Sequence, residues 1–276
     1  MNNRKNEFMK LILVGLLPSL NAIIWMHVFS KGWFAMYSMH VICMMIIPTF
    51  LYGPYFKSRM FSFFIEIKTN INLLKLACIG FLTSTVGLLT VAILKPLKNV
   101  QFFETIIGNI KSGLTLQGII QLDRTKMSLF TIISFVYLCV VNPVIEELFW
   151  RFFIAKELIR ENSEYERIVQ SQEEQNSYCN LNDFIDLREI ESGTIHKNIK
   201  NKEFRKIISS LLYSSYHFFV FSSIITNTLA ILGAILLVFV GRFLLYVYEK
   251  YNITHSIYIH IGLDIIAVIS LFLIFP

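Results

Sequence analysis

The chain is 276 residues long, 55% of them apolar and only 16% charged, with a mean hydropathy of +0.58. That balance excludes an ordinary water-soluble domain and makes the lipid bilayer the solvent for most of the chain. The formal net charge of +6 does not mark a nucleic-acid-binding protein, because lysines and arginines are scattered at the ends of apolar runs and form no dense tract.

Taken in chain order, the apolar runs predict an all-α, polytopic transmembrane helix bundle of about seven spans: 11–29, 33–56, 72–94, 128–156, 205–224, 226–249 and 253–275. Arg4, Lys5 and Lys10 precede the first run as they would in a signal peptide, but no small-residue cleavage site follows, so it reads as a retained helix. Pro18, Pro48 and Pro143 fall inside spans and predict kinks there. Residues 1–127 read as amino-terminal membrane helices with a connecting loop, and 128–276 as a catalytic membrane core interrupted at 157–204.

Placing the amino terminus in the cytosol puts Lys57, Arg59, Lys68, the 157–204 segment and Lys250 on one side, as the positive-inside bias requires. The 95–127 connection carries Lys95, Lys98, Lys111, Arg124 and Lys126 on the opposite side, which suits an interfacial helix. Eleven of the 19 acidic residues lie between Glu157 and Glu203, and this segment reads as a polar, partly disordered insertion between the fourth and fifth spans. Cys43, Cys78 and Cys139 sit in apolar runs and Cys179 in a polar one, a distribution that fits neither a disulfide framework nor a CxxC metal site.

Ionisable groups inside a span cost several kcal/mol unless they pair or face a wet cavity, which makes them functional candidates. They cluster here. The fourth span holds Asn142, Glu146, Glu147 and Arg151, the fifth Tyr213 and His217, and the seventh His260 and Asp264. Residues four apart share a helix face, so Glu147 is expected to pair with Arg151 as structural support, leaving Glu146 to point elsewhere. Counting about 1.5 Å per residue from the insertion side places Glu146, His217, His260 and Asp264 all roughly 10 to 18 Å deep, where a water-filled pocket is expected. His27 and His40 have no acidic residue in their own stretch and read as ordinary core histidines, as do His196 in the insertion and His255 at a helix start on position alone.

These residues resemble the motifs of the CAAX protease and bacteriocin-processing (CPBP) family, which includes proteins once called abortive-infection (Abi) proteins. EExxxR appears as Glu146 to Arg151 after Asn142 and Pro143, aromatic-xxxH as Tyr213 to His217, and HxxxN/D as His260 to Asp264. Phe152 stands where glycine is usual, and the insertion is unusually long. The resemblance implies an intramembrane endopeptidase acting on a membrane-associated protein or peptide, of CAAX type or by leader or pheromone processing. Catalysis is expected from Glu146 and His217, which would activate a water, and from His260 and Asp264, which would serve the oxyanion. Glu146, His217 and His260 also match a zinc site with an open position, and the sequence does not separate metal-assisted from metal-free hydrolysis.

Other readings of the same chain are a catalytically silent scaffold that binds a partner protein and an ion-coupled transporter. The intact motifs disfavour the first, and the lack of a matching cluster in the amino-terminal half disfavours the second. The lead-in Asn142–Pro143 and Trp150 look more like the bacterial branch, so a bacterial cell membrane is expected, or the endoplasmic reticulum membrane if the chain is eukaryotic.

Overall fold

A computed structural model describes residues 2–97, 101–117, 133, 136–159 and 186–274, and all secondary structure among them is helical. The helices are α1 (Asn2–Ala22), α2 (Gly32–Ser38), α3 (Ile47–Asn70), α4 (Leu73–Leu97), α5 (Gln101–Leu116), α6 (Asn142–Glu147), α7 (Asp186–Ser222), α8 (Asn227–Lys250) and α9 (Ile253–Ile274). Wider π-helical turns at Ile23–Val28, Met39–Ile46, Tyr137–Val141 and Leu148–Ala155 join or extend them.

Asn6–Val28, Gly32–Asn70 and Asn227–Lys250 are long and apolar enough to cross a membrane, and Cys78–Leu89 and Ile253–Val268 are shorter apolar helices. Phe50, Phe81 and Phe239 are among many large apolar side chains on the outer surface, while charged Glu146, Glu147 and Arg151 are buried. This inverted distribution is what a chain solvated by lipid adopts.

The expected second span, 33–56, is longer than its sequence pattern suggested. Helix continues to Asn70 across a break at Gly53, whose φ of 48° lies in the region open to glycine. Pro54 then starts the second half, since a first-turn proline has no N–H to lose to the helix. The expected fifth span is the last part of α7, which begins at Asp186 and so takes in the end of the expected insertion. Residues 186–204 of the expected insertion are helical, and its residues 160–185 lie outside the described residues. The start of the expected fourth span and part of the 95–127 connection lie outside them too.

Pro48 and Pro143 each follow a π-helical turn. A proline in a continuous helical run takes away one i to i−4 bond and crowds the carbonyl four residues back, and shifting the preceding turn to i to i−5 bonding absorbs both. Thus Asn142 N–H bonds Tyr137 O and Ile47 N–H bonds Ile42 O. The two widened turns carry His40 and the approach to Glu146.

The helix from Asn142 to Ala155 forms the centre of the bundle, with every residue from Glu146 to Ala155 buried. One side packs Phe149, Trp150 and Phe153 against Leu11, Val14, Met44, Phe56, Leu212 and Tyr216. Its other side packs Leu148 and Phe152 against Phe63, Ile253, Ile257 and Ile261. Phe152, where the resemblance leads one to expect glycine, is absorbed by this second cluster and lies edge-on to Phe63 at 5.4 Å. α9 is pressed against α4, where a Cβ on Gly262 would come within 2.7 Å of Thr83 Cγ2. At the far end, Gln117 beyond α5 donates to Met26 O at 3.0 Å and accepts from Gly32 N–H at 3.1 Å. That places a helix of the 95–127 connection beside the loop before α2.

Candidate active site

Glu146 and Glu147 end α6, His217 lies on α7, and His260 and Asp264 lie on α9. The bundle brings these motif residues together. His260 is the hub: its Nδ1 is 2.9 Å from Glu147 Oε1, while its Nε2 is 3.7 Å from Glu146 Oε2 and 3.9 Å from Asp264 Oδ1. A carboxylate only accepts, so Nδ1 of His260 carries a proton directed at Glu147. Glu147 is thus the carboxylate that meets His260 Nδ1, while Asp264 lies on the Nε2 side of the ring.

Glu147 does pair with Arg151 as expected, with Arg151 Nε 3.5 Å from Oε1. It does more than neutralise a charge, since Ser256 Oγ also donates to its Oε2 at 2.5 Å. Arg151 lies over the ring of Tyr213, 4.2 Å from the centroid, so the aromatic residue of the second motif cushions the arginine of the first. Asn142 Nδ2 donates to Asp264 Oδ2 at 3.3 Å, tying α6 to α9.

His217 donates from Nδ1 to Tyr213 O at 3.0 Å, which leaves the Nε2 lone pair free. Its ring rests on Tyr216, with centroids 3.9 Å apart, within electrostatic range of Glu146. Glu146 and His260 are almost wholly buried, whereas Asp264 is 25% exposed and His217 is partly exposed. Among the described residues the cluster reaches the surface at His217 and Asp264, with Glu146 and His260 at its buried end.

One residue was misread from sequence. His40, set aside as a histidine without acidic company, is buried with Nε2 3.5 Å from Glu146 Oε1, and its Nδ1 is 2.8 Å from the Tyr137 hydroxyl. Its acidic neighbour comes from another helix. His27 bonds Phe219 O at 2.8 Å, and His255 bonds Asn252 Oδ1 at 2.8 Å near the start of α9.

Among the described residues no three His, Cys, Asp or Glu side chains form a group that could hold a metal ion. Glu146, His217 and His260, the residues expected to hold a zinc ion, are not drawn together into such a group.

No curated protein and no solved structure matches the chain. A family model does, over residues 128–266, and it is described as type II CAAX prenyl endopeptidase Rce1-like. The matched stretch takes in all three motifs and half of the chain, from the approach to α6 to the part of α9 beyond Asp264. The helical membrane fold, the converging glutamates and histidines and this match lead to one conclusion: the chain belongs to the Rce1-like family of type II CAAX prenyl endopeptidases, integral-membrane peptidases of CAAX type.

Proposed function

We propose that the protein hydrolyses a peptide bond of a membrane-associated protein or peptide by a water activated at Glu146. The observation that supports this is the meeting of Glu146 with His260 and Asp264 in a site closed at its base and open beside His217. Glu146 takes a proton from the water as its oxygen bonds the scissile carbonyl carbon, and passes that proton to the leaving amine nitrogen. The free Nε2 of His217 accepts a hydrogen bond from the same water and orients it. His260 is held by Glu147 and carries a second proton on Nε2, which it directs to the carbonyl oxygen as negative charge develops there. Ionised Glu147 and Asp264 stabilise that imidazolium, while Asn142 keeps Asp264 in place. In this mechanism an ionised Asp264 acts through the histidine and donates nothing itself.

The features of the lead-in, Asn142–Pro143 and Trp150, favour a bacterial cell membrane as the location. The test uses purified protein in proteoliposomes and three probes: a farnesylated CAAX peptide, its unprenylated counterpart and an apolar leader peptide. Wild type is expected to cleave at least one of them. Glu146→Gln and His217→Ala should abolish that cleavage while melting near wild type. A folded wild type that cleaves none, or a Glu146→Gln variant that cleaves normally, refutes the reading.

A further inference from the structure

We infer that His40, supplied by the amino-terminal half of the chain, is a positioning residue for Glu146, and that Tyr137 sets its tautomer. The inference rests on the proposed role of Glu146 as base. His40 is 1% exposed, in the π-helical turn Met39–Ile46 that leads into Pro48. Its two ring nitrogens face different groups: the Tyr137 hydroxyl is 2.8 Å from Nδ1, and Glu146 Oε1 is 3.5 Å from Nε2.

The chemistry of these groups fixes the direction of the chain of contacts. Glu146 as a carboxylate only accepts, so the proton between them belongs to His40 Nε2. A neutral His40 protonated there offers a lone pair at Nδ1, and the tyrosine hydroxyl is a donor that fills it. The run is therefore Tyr137 O–H to His40 Nδ1, then His40 Nε2–H toward Glu146 Oε1. His40 Nε2 is buried and makes no hydrogen bond among the described residues, so the carboxylate oxygen of Glu146, 3.5 Å away, is the acceptor toward which this donor is drawn.

The consequence lies in how the two oxygens of Glu146 are divided. His40 addresses Oε1 from one side, and His260 lies nearer Oε2 from the other. A His40 N–H drawn toward Oε1 opposes rotation of the carboxylate about its last bond, which keeps Oε2 directed to where His260 and the water meet. His40 does not touch the reacting atoms. Its contribution is to the orientation of the base, which belongs to turnover more than to substrate binding.

The experiment compares His40→Phe, His40→Gln, Tyr137→Phe and Glu146→Gln on whichever of the three probe peptides wild type cleaves, with a thermal melt of each. His40→Phe keeps the ring volume and removes the donor, and kcat should fall on the order of 100-fold with KM unchanged. His40→Gln returns an N–H near the Nε2 position and should recover most of the loss, which a purely packing role would not produce. Tyr137→Phe leaves His40 in place and should lower kcat by less than His40→Phe. If Glu146→Gln is inactive but folded His40→Phe turns over as wild type, the inference is overturned. It is also overturned if folded His40→Gln is no better than His40→Phe. Should His40→Phe fail to fold, Tyr137→Phe decides, and wild-type kcat in that variant refutes the relay. Normal cleavage by Glu146→Gln is a different result, since it removes the proposed base itself.

Discussion

Replacing Glu147 by glutamine changes one oxygen to an amide nitrogen, at a position that is fully buried and has three partners. The glutamine oxygen can take the place of Oε1, facing Arg151 and His260 with its NH2 toward the Ser256 hydroxyl, or of Oε2, which turns the NH2 against the N–H groups of both Arg151 and His260; in either case the carboxylate charge opposite Arg151 is lost. Hydrogen bonds to charged groups contribute about 1.5 to 3 kcal/mol each. Breaking a buried ion pair from one side costs about 3 to 5 kcal/mol, much of it the stranded charge. The variant should therefore lose about 3 to 5 kcal/mol in total, because the amide retains part of the bonding. At about 2 to 4 °C per kcal/mol for a domain of 150 to 250 residues, Tm should fall by roughly 10 °C. Trp150, buried and adjacent to Arg151, gives a fluorescence signal for the melt in detergent. Glu147→Gln combined with Arg151→Met should recover part of the Tm, because the uncompensated guanidinium is gone. It should not recover cleavage, since His260 Nδ1 still lacks its carboxylate. A Glu147→Gln variant within about 1 kcal/mol of wild type would show that the buried-pair argument is wrong. Full activity in the double variant would show that Glu147 does not orient His260.

Further substitutions test the packing around the site. Phe152→Gly, which restores the residue usual in the resembling family, should cost about 3 to 5 kcal/mol through the cavity left beside Phe63, and a melt near wild type would refute the packing role. Gly262→Leu should destabilise by about 1 to 3 kcal/mol by pushing α9 from α4, and adding Thr83→Ala should return part of the Tm; no return would mean that the clash lies elsewhere. Glu203 provides a contrast: Lys206 and Arg242, at 3.0 and 2.6 Å, hold its carboxyl below the usual carboxylate range. A depressed carboxylate stabilises above its unfolded pKa and loses that contribution as pH falls through the folded one. Glu203 is about half exposed, so solvent screens the pair; Glu203→Gln should cost less than about 1 kcal/mol at neutral pH, and the difference from wild type should vanish in acid.

Much of this protein is legible in sequence because the bilayer imposes strict rules on composition. Runs of about 20 apolar residues with charged ends must become helices, since lipid satisfies no backbone group. The breaks at 29–32 and 224–226 are marked by the loss of apolar character, and both appear as connections in the structure. The pairing of Glu147 with Arg151 follows from i,i+4 spacing, and it too is present. Local rules of this kind need no knowledge of neighbouring helices.

Tertiary structure decided what depends on which helices touch. Nothing in the stretch around His40 announces a carboxylate partner, because Glu146 lies 106 positions later and meets it only when the first of the two proline-linked π turns packs beside the second. The sign that could have drawn attention to it is general: a titratable residue inside an apolar span needs a partner from somewhere. The division of labour between the adjacent glutamates is of the same kind. Their helix fixes only that they point about 100° apart. Glu147 orients His260 because α9 arrives with Ser256 and His260 on the face that Glu147 presents, and Glu146 is left between His40 and His260 because the Met39–Ile46 turn closes the other side. Spacing along one helix sets directions, but a site built from several helices is set by the packing of Phe149, Phe152 and their neighbours, which fixes how those helices cross.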